Sequence, residues 1–201
     1  MQIIDNRGLL LKLRQPERIT SVIPKSKVIA DHGDYSEVLV NWGLEEAQVL
    51  KNLKLRDVPS PILAKYQWTG LHKPFDHQKD TASFLTLHRR AFCFNEQGTG
   101  KTASVIWAAD YLMKLGLIKK VLVICPLSIM DSAWRADLFT FAIHRTVDVA
   151  HGAREKRKKI IASGAEFTII NFDGVEIVAD DIEAAGYDLI VVDEANAYKN
   201  P

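Results

Sequence analysis

The feature that most restricts the fold is a change of pattern after residue 74. From there on, short apolar runs rich in β-branched residues recur at 91–94, 121–125, 146–150, 167–170 and 188–192, with helical stretches between them. A strand that is apolar on both faces is stable only where both faces are covered. Alternation with helices supplies that cover through parallel crossover units. The pattern predicts an α/β layered domain with a mainly parallel sheet over residues 75–201. The helix after the first run places Val105, Ile106, Ala109, Leu112 and Met113 on one face, and Gly116 closes it.

The preceding residues read differently. Residues 1–57 predict a small α+β module of order β-α-β-β-α. Its strands fall near 8–14, 27–30 and 37–42, with a short helix begun by Pro16 and a second helix over 45–55. Residues 58–74 hold Pro59, Pro61, Gly70 and Pro74 with little periodicity, and read as a linker or wrapping segment.

Composition serves mainly to exclude. Twenty-six basic residues against twenty-five acidic give a net charge of +1, so overall charge carries no argument for a polyanionic partner. The two cysteines, Cys93 and Cys125, sit inside apolar runs and read as reduced, buried thiols. No apolar stretch approaches the roughly 18 residues of a membrane span, and the start lacks a signal-peptide pattern. A cytoplasmic protein is expected.

Two motifs carry chemistry. The first is Gly98-Thr99-Gly100-Lys101-Thr102, set between a predicted strand and a predicted helix. Small residues let backbone N–H groups turn toward phosphates, and the helix N-terminus adds partial positive charge. Lys101 can reach the β and γ phosphates, and the Thr102 hydroxyl can ligate Mg²⁺. Asn95 stands where the strict pattern has glycine. The second motif is Asp193-Glu194, at the end of the apolar run 188–192. At the carboxyl end of a parallel strand, Asp193 can hold Mg²⁺ and Glu194 can polarise an attacking water as general base.

Asp193-Glu194-Ala195-Asn196, followed by Tyr198-Lys199-Asn200-Pro201, resembles box II of the superfamily 2 helicases, and most the Swi/Snf-like branch. Asn196 stands where that box usually carries His. The resemblance implies a RecA-like ATP-binding domain, ATP and Mg²⁺ as cofactors, and an ATP-hydrolysing DNA helicase or translocase. It implies adenine reading by Gln78, within Pro74-Phe75-Asp76-His77-Gln78. The segment 121–126 with Leu127, Ser128 and Trp134 resembles motif Ia, which implies a DNA-backbone contact at Ser128. His151-Gly152 before a basic helix matches a family habit. That helix has five bases and one acid over 154–159, and Arg154, Arg157 and Lys158 become candidate nucleic-acid contacts. Residues 168–173, including Phe172 and Asp173, resemble motif Ib. The resemblance covers roughly residues 72–201.

Duplex or branched DNA is favoured over RNA as partner, and no membrane is expected. In such motors a second RecA-like domain supplies an arginine finger. Its absence from the 201 residues leads to the expectation of a fragment that binds ATP·Mg²⁺ weakly and hydrolyses it poorly. Two other readings stay open. One is a P-loop kinase for a small molecule, against which the water-activating Glu194 stands. The other is a DNA-binding or regulatory module that keeps a motor-like lobe without motor activity.

Overall fold

Alternating inward and outward side chains along two short segments organise the N-terminal part of the chain. The computed structural model describes residues 1–96 and 98–194. Its first elements are β1 (Gln2–Ile4), β2 (Gly8–Leu13), α1 (Glu17–Thr20), β3 (Lys27–Asp31), β4 (Ser36–Asn41), α2 (Leu44–Asn52) and α3 (Ile62–Lys65). The strands form an antiparallel sheet of order β1-β2-β4-β3, with Leu9 opposite Val40 and Leu11 opposite Val38. Those four side chains share one face and are buried with Ile19, Ile23, Trp42 and Leu50. Such burial stabilises by about 1.5–3 kcal/mol for each large apolar side chain. β1 goes beyond the pattern read from the sequence. It is three residues long and is held by antiparallel pairing with β2.

The chain divides into two units, residues 1–67 with 79–94, and residues 68–78 with 95 onward. Residues 58–67 fall in the first unit and 68–74 in the second. Within the first unit, the Trp42 indole donates to Pro59 O at 2.8 Å, and the Ser60 and Thr86 hydroxyls meet at 2.7 Å. Within the second, Trp107 Nε1 donates to Thr69 O at 2.8 Å, and Thr69 Oγ1 donates to Phe141 O at 2.6 Å.

Later elements follow the α/β expectation. They are α4 (Asp76–Leu87), α5 (Lys101–Lys114), β5 (Val121–Cys125), α6 (Ala136–Phe141), β6 (Val147–Ala150), α7 (Arg154–Ile161), β7 (Phe167–Asn171), α8 (Phe172–Ile177), α9 (Ala179–Ala185) and β8 (Leu189–Val192). The strands of the second unit are all parallel, in the order β6-β7-β5-β8. β5 is buried throughout. Val121, Val123 and Cys125 pack under Ile106, Ala109 and Met113 of α5, while Leu122 and Ile124 face Ile161, Ile170 and Val178. That two-sided cover is why β5 reads as a continuous apolar run. Gly116 ends α5 at φ +71°, with Leu117 N–H donating to Leu112 O and Gly116 N–H to Met113 O. This is the left-handed glycine cap that satisfies the helix's last carbonyls.

A buried charge network ties α5 to the entry of β6. Asp110 is fully buried and accepts from Arg145 Nε at 2.6 Å, while Arg145 Nη1 donates to Glu166 at 2.6 Å. Burial pushes the Glu166 carboxyl up, but the Thr146 amide and Arg145 outweigh it and hold it below its usual range. Lys114 Nζ and His144 Nε2 also meet Asp110, at 3.0 and 2.7 Å, so its charge is shared among several partners.

One expected strand is corrected. Residues 91–94 form no strand, and Phe92 and Phe94 are 76% and 88% exposed, stacked on each other with centroids 5.8 Å apart. An apolar run becomes a strand only where a neighbour completes its ladder of hydrogen bonds. Among the described residues none pairs with this segment.

Candidate active site

The loop owes its shape to two glycines and to the helix it opens. Gly98 and Gly100 have φ of +81° and +74°, the left-handed region that favours glycine. Gly100 is the residue before α5, and a Cβ there would collide with the Gln78 side-chain amide. The backbone turn therefore favours glycine at this position, and a side chain here would also displace the Gln78 amide.

Gln78 is buried at the start of α4 and grips the loop. Its Oε1 accepts from Phe75 N–H at 2.9 Å, and its Nε2 donates to Thr99 O at 3.3 Å. His77 Nε2 lies 3.1 Å from the same carbonyl, and its ring stacks on Phe75. The Lys101 ammonium donates to Asn95 O at 2.9 Å and Glu96 O at 3.0 Å. The loop's own carbonyls thus hold that charge beside the first turn of α5, where a phosphate oxygen would compete for it. Thr102 is half-buried in the same turn. Gln97 lies outside the described residues.

The acidic pair sits at the same edge of the sheet, for a topological reason. α5 is about 20 Å long and β5 about 16 Å, and the short turn 115–120 connects them. The chain reverses there, so the N-terminus of α5 points toward the carboxyl ends of the parallel strands. β8 is parallel to β5 in register Ile124↔Val192, and Asp193 N–H donates to Ile124 O at 2.9 Å. Asp193 therefore leaves the sheet beside the end of β5. Burial, and then the Asp193 carboxylate, push the Cys125 thiol up to about 12.

Glu194 is exposed, with its backbone in the left-handed region at φ +54°. Its N–H donates to Asp193 Oδ1 at 3.0 Å. Ala195, Asn196, Tyr198, Lys199, Asn200 and Pro201, which carry the rest of the box II resemblance, lie outside the described residues.

A hydroxyl at Thr102 and a carboxylate at Asp193 are hard oxygen donors that suit Mg²⁺. No cluster of three or more potential metal ligands occurs among the described residues. A Mg²⁺ here would complete its shell from phosphate and water, which is its usual habit.

The other candidates are spread over different elements. Ser128 is exposed on the turn after β5, and its carbonyl accepts from Ser132 Oγ at 2.8 Å. Arg154 is exposed at the start of α7, and Lys158 lies 3.7 Å from Asp181. Arg157 is turned inward. It donates to Ala150 O at 2.6 Å, Gly152 O at 2.8 Å and Asn171 Oδ1 at 2.9 Å, and it fills the space beside Gly174. Helical periodicity explains this: 157 and 161 share the buried face of α7, while 154, 156 and 159 face water.

Two contacts escaped the sequence reading. One is His77 against Thr99 O. The other is Trp134, whose Nε1 donates to Asp193 Oδ2 at 2.9 Å. The usable signal for the second was general: a buried indole N–H needs an acceptor.

A four-stranded parallel sheet covered by helices, with a glycine loop opening α5 and an acidic pair at a strand's carboxyl end, makes a mixed α/β lobe consistent with the RecA-like class. Within that class the chain belongs to the SNF2-related domain family, whose model matches residues 35–201, and so to the Swi/Snf-like branch of superfamily 2. It is 26% identical over 157 residues to mouse DNA excision repair protein ERCC-6-like 2, covering 63% of this chain and 10% of that protein. It is 30% identical over 82 residues to Switch 2 of Arabidopsis thaliana, covering 40% of this chain and 9% of the relative. Among solved structures it is similar to the Sulfolobus solfataricus SWI2/SNF2 ATPase core in complex with dsDNA. The TM-score there is 0.55 at 26% identity, over 67% of this chain and 28% of the other. The chain thus spans about a tenth of the length of the curated relatives it matches. Among the described residues no helix is long and apolar enough to cross a membrane.

Proposed function

We infer that this chain is the nucleotide-binding lobe of an ATP-dependent DNA translocase of the SNF2 type. On this reading residues 75–201 form the ATP-binding domain, and residues 1–57 form an accessory module. Backbone amides at Gly98, Thr99 and Gly100 cradle the phosphates, and Lys101 binds the β and γ oxygens. Thr102 and Asp193 hold Mg²⁺, which when bound draws charge off the phosphates. Glu194 takes the proton of the attacking water. The DNA duplex is the partner this reading favours, contacted through Ser128, Arg154 and Lys158. Arg157 shapes the turn before α7 from inside. The dsDNA bound to the Sulfolobus solfataricus relative supports this partner.

The observation that carries the reading is the grip of Gln78 on the loop that opens α5. A carboxamide offers a donor and an acceptor side by side, matching the N6 and N7 edge of adenine. Each of its heavy atoms keeps one hydrogen-bonding position beyond those used on Phe75 and Thr99. Gln78→Ala should weaken ATP binding by about tenfold relative to GTP, the scale of one bidentate base contact. Competition titrations against a fluorescent nucleotide check this. An unchanged ATP-to-GTP ratio would remove Gln78 from the site.

A further inference from the structure

We propose that Trp134 is a positioning residue for the acidic pair, setting the Asp193 carboxylate through its indole N–H. The proposal rests on the reading of Asp193 as a Mg²⁺ ligand. It adds a residue that neither the phosphate loop nor the acidic motif contains.

Trp134 lies in a six-residue π-helical turn, Met130–Arg135, ahead of α6. Ala136 N–H reaches both Ala133 O and Asp131 O, the latter five residues back instead of four. One extra residue in a turn rotates every later side chain by about 100° relative to an α-helix. In this geometry the Trp134 ring is buried among Met130, Leu138 and the β5 side chains, 2% exposed, and its N–H ends on Asp193 Oδ2. π turns are uncommon and cluster at functional positions.

The two oxygens of Asp193 are held from different sides. Oδ1 takes the Glu194 N–H and Oδ2 takes the indole, which fixes the plane of the carboxylate. Each oxygen keeps a lone pair for a metal ion or its water. A ligand held this way loses less freedom on binding. Groups that hold a metal ligand in place are commonly worth about 10–100-fold in metal affinity.

Trp134→Phe keeps an aromatic ring in the core while deleting the donor and part of the ring volume. A fluorescent ATP analogue is titrated at fixed nucleotide with increasing Mg²⁺, and again in EDTA. The expected result is a Mg²⁺ requirement raised by about 10-fold or more, with binding in EDTA unchanged. Asp193→Ala runs in parallel. If it leaves the Mg²⁺ dependence at the wild-type value, the assignment of Asp193 fails, and the positioning role fails with it. If it abolishes the dependence while Trp134→Phe leaves it intact, the positioning role alone is overturned. Should Trp134→Phe not fold, the indole ¹H–¹⁵N resonance of Trp134 in the wild-type chain decides. That resonance, assigned by sequential NMR, should move as Mg²⁺·ATP saturates the site. An immobile resonance overturns the proposal.

Discussion

Glu194→Gln should lower the rate of ATP hydrolysis in a single turnover by about 10²–10⁴-fold, the usual contribution of a general base, and leave nucleotide affinity unchanged. The carboxamide keeps the size and hydrogen-bonding reach of the carboxylate but cannot take a proton from water. Glu194 is exposed at the end of β8, held at φ +54°, and donates its own N–H to Asp193. It is thus placed beside Asp193, the proposed Mg²⁺ ligand. Enzyme in excess over ATP isolates the chemical step even where turnover is slow. Equal rates for variant and wild type would mean that water is activated elsewhere.

Lys101→Ala weakens nucleotide binding by about 10–100-fold, the scale of a charge-assisted hydrogen bond. The fold does not depend on this ammonium. Its partners, Asn95 O and Glu96 O, lie on a largely exposed loop where water can replace it. α5 is anchored instead by Ile106, Ala109 and Met113 against the sheet. Thermal melts of variant and wild type should therefore coincide while their nucleotide titrations separate. A fluorescent nucleotide that binds both equally would remove Lys101 from the site.

Much of the lobe was legible because burial writes directly into sequence. β5 and β7 are covered on both faces, so their runs are continuously apolar, and the inward face of α5 repeats at helical spacing. The loop was legible for a different reason, since positive φ at Gly98 and Gly100 leaves glycine as the favoured residue.

What periodicity could not reach were contacts set by tertiary partners. Residues 91–94 have the composition of a strand, yet strand formation depends on a neighbour that composition does not reveal. In a basic run, Arg157 looks like its exposed neighbours. Its inward turn depends on carbonyls of Ala150 and Gly152 and on Asn171, which only the folded chain brings together. Trp134 is similar: a π turn shifts it out of the register that helical spacing assumes.

The central claim is that the loop 98–102 and the pair Asp193-Glu194 serve one metal-bound nucleotide. The most direct measurement replaces Mg²⁺ by paramagnetic Mn²⁺ and follows the backbone amide resonances of this 201-residue chain as Mn²⁺·ATP is added. Resonances of Thr102 and of Asp193 and Glu194 should broaden together, at the same ligand concentration, and neither group should broaden in Lys101→Ala at that concentration. Broadening at the loop with sharp resonances at Asp193 and Glu194 would contradict the claim, because the two motifs would then not share a metal.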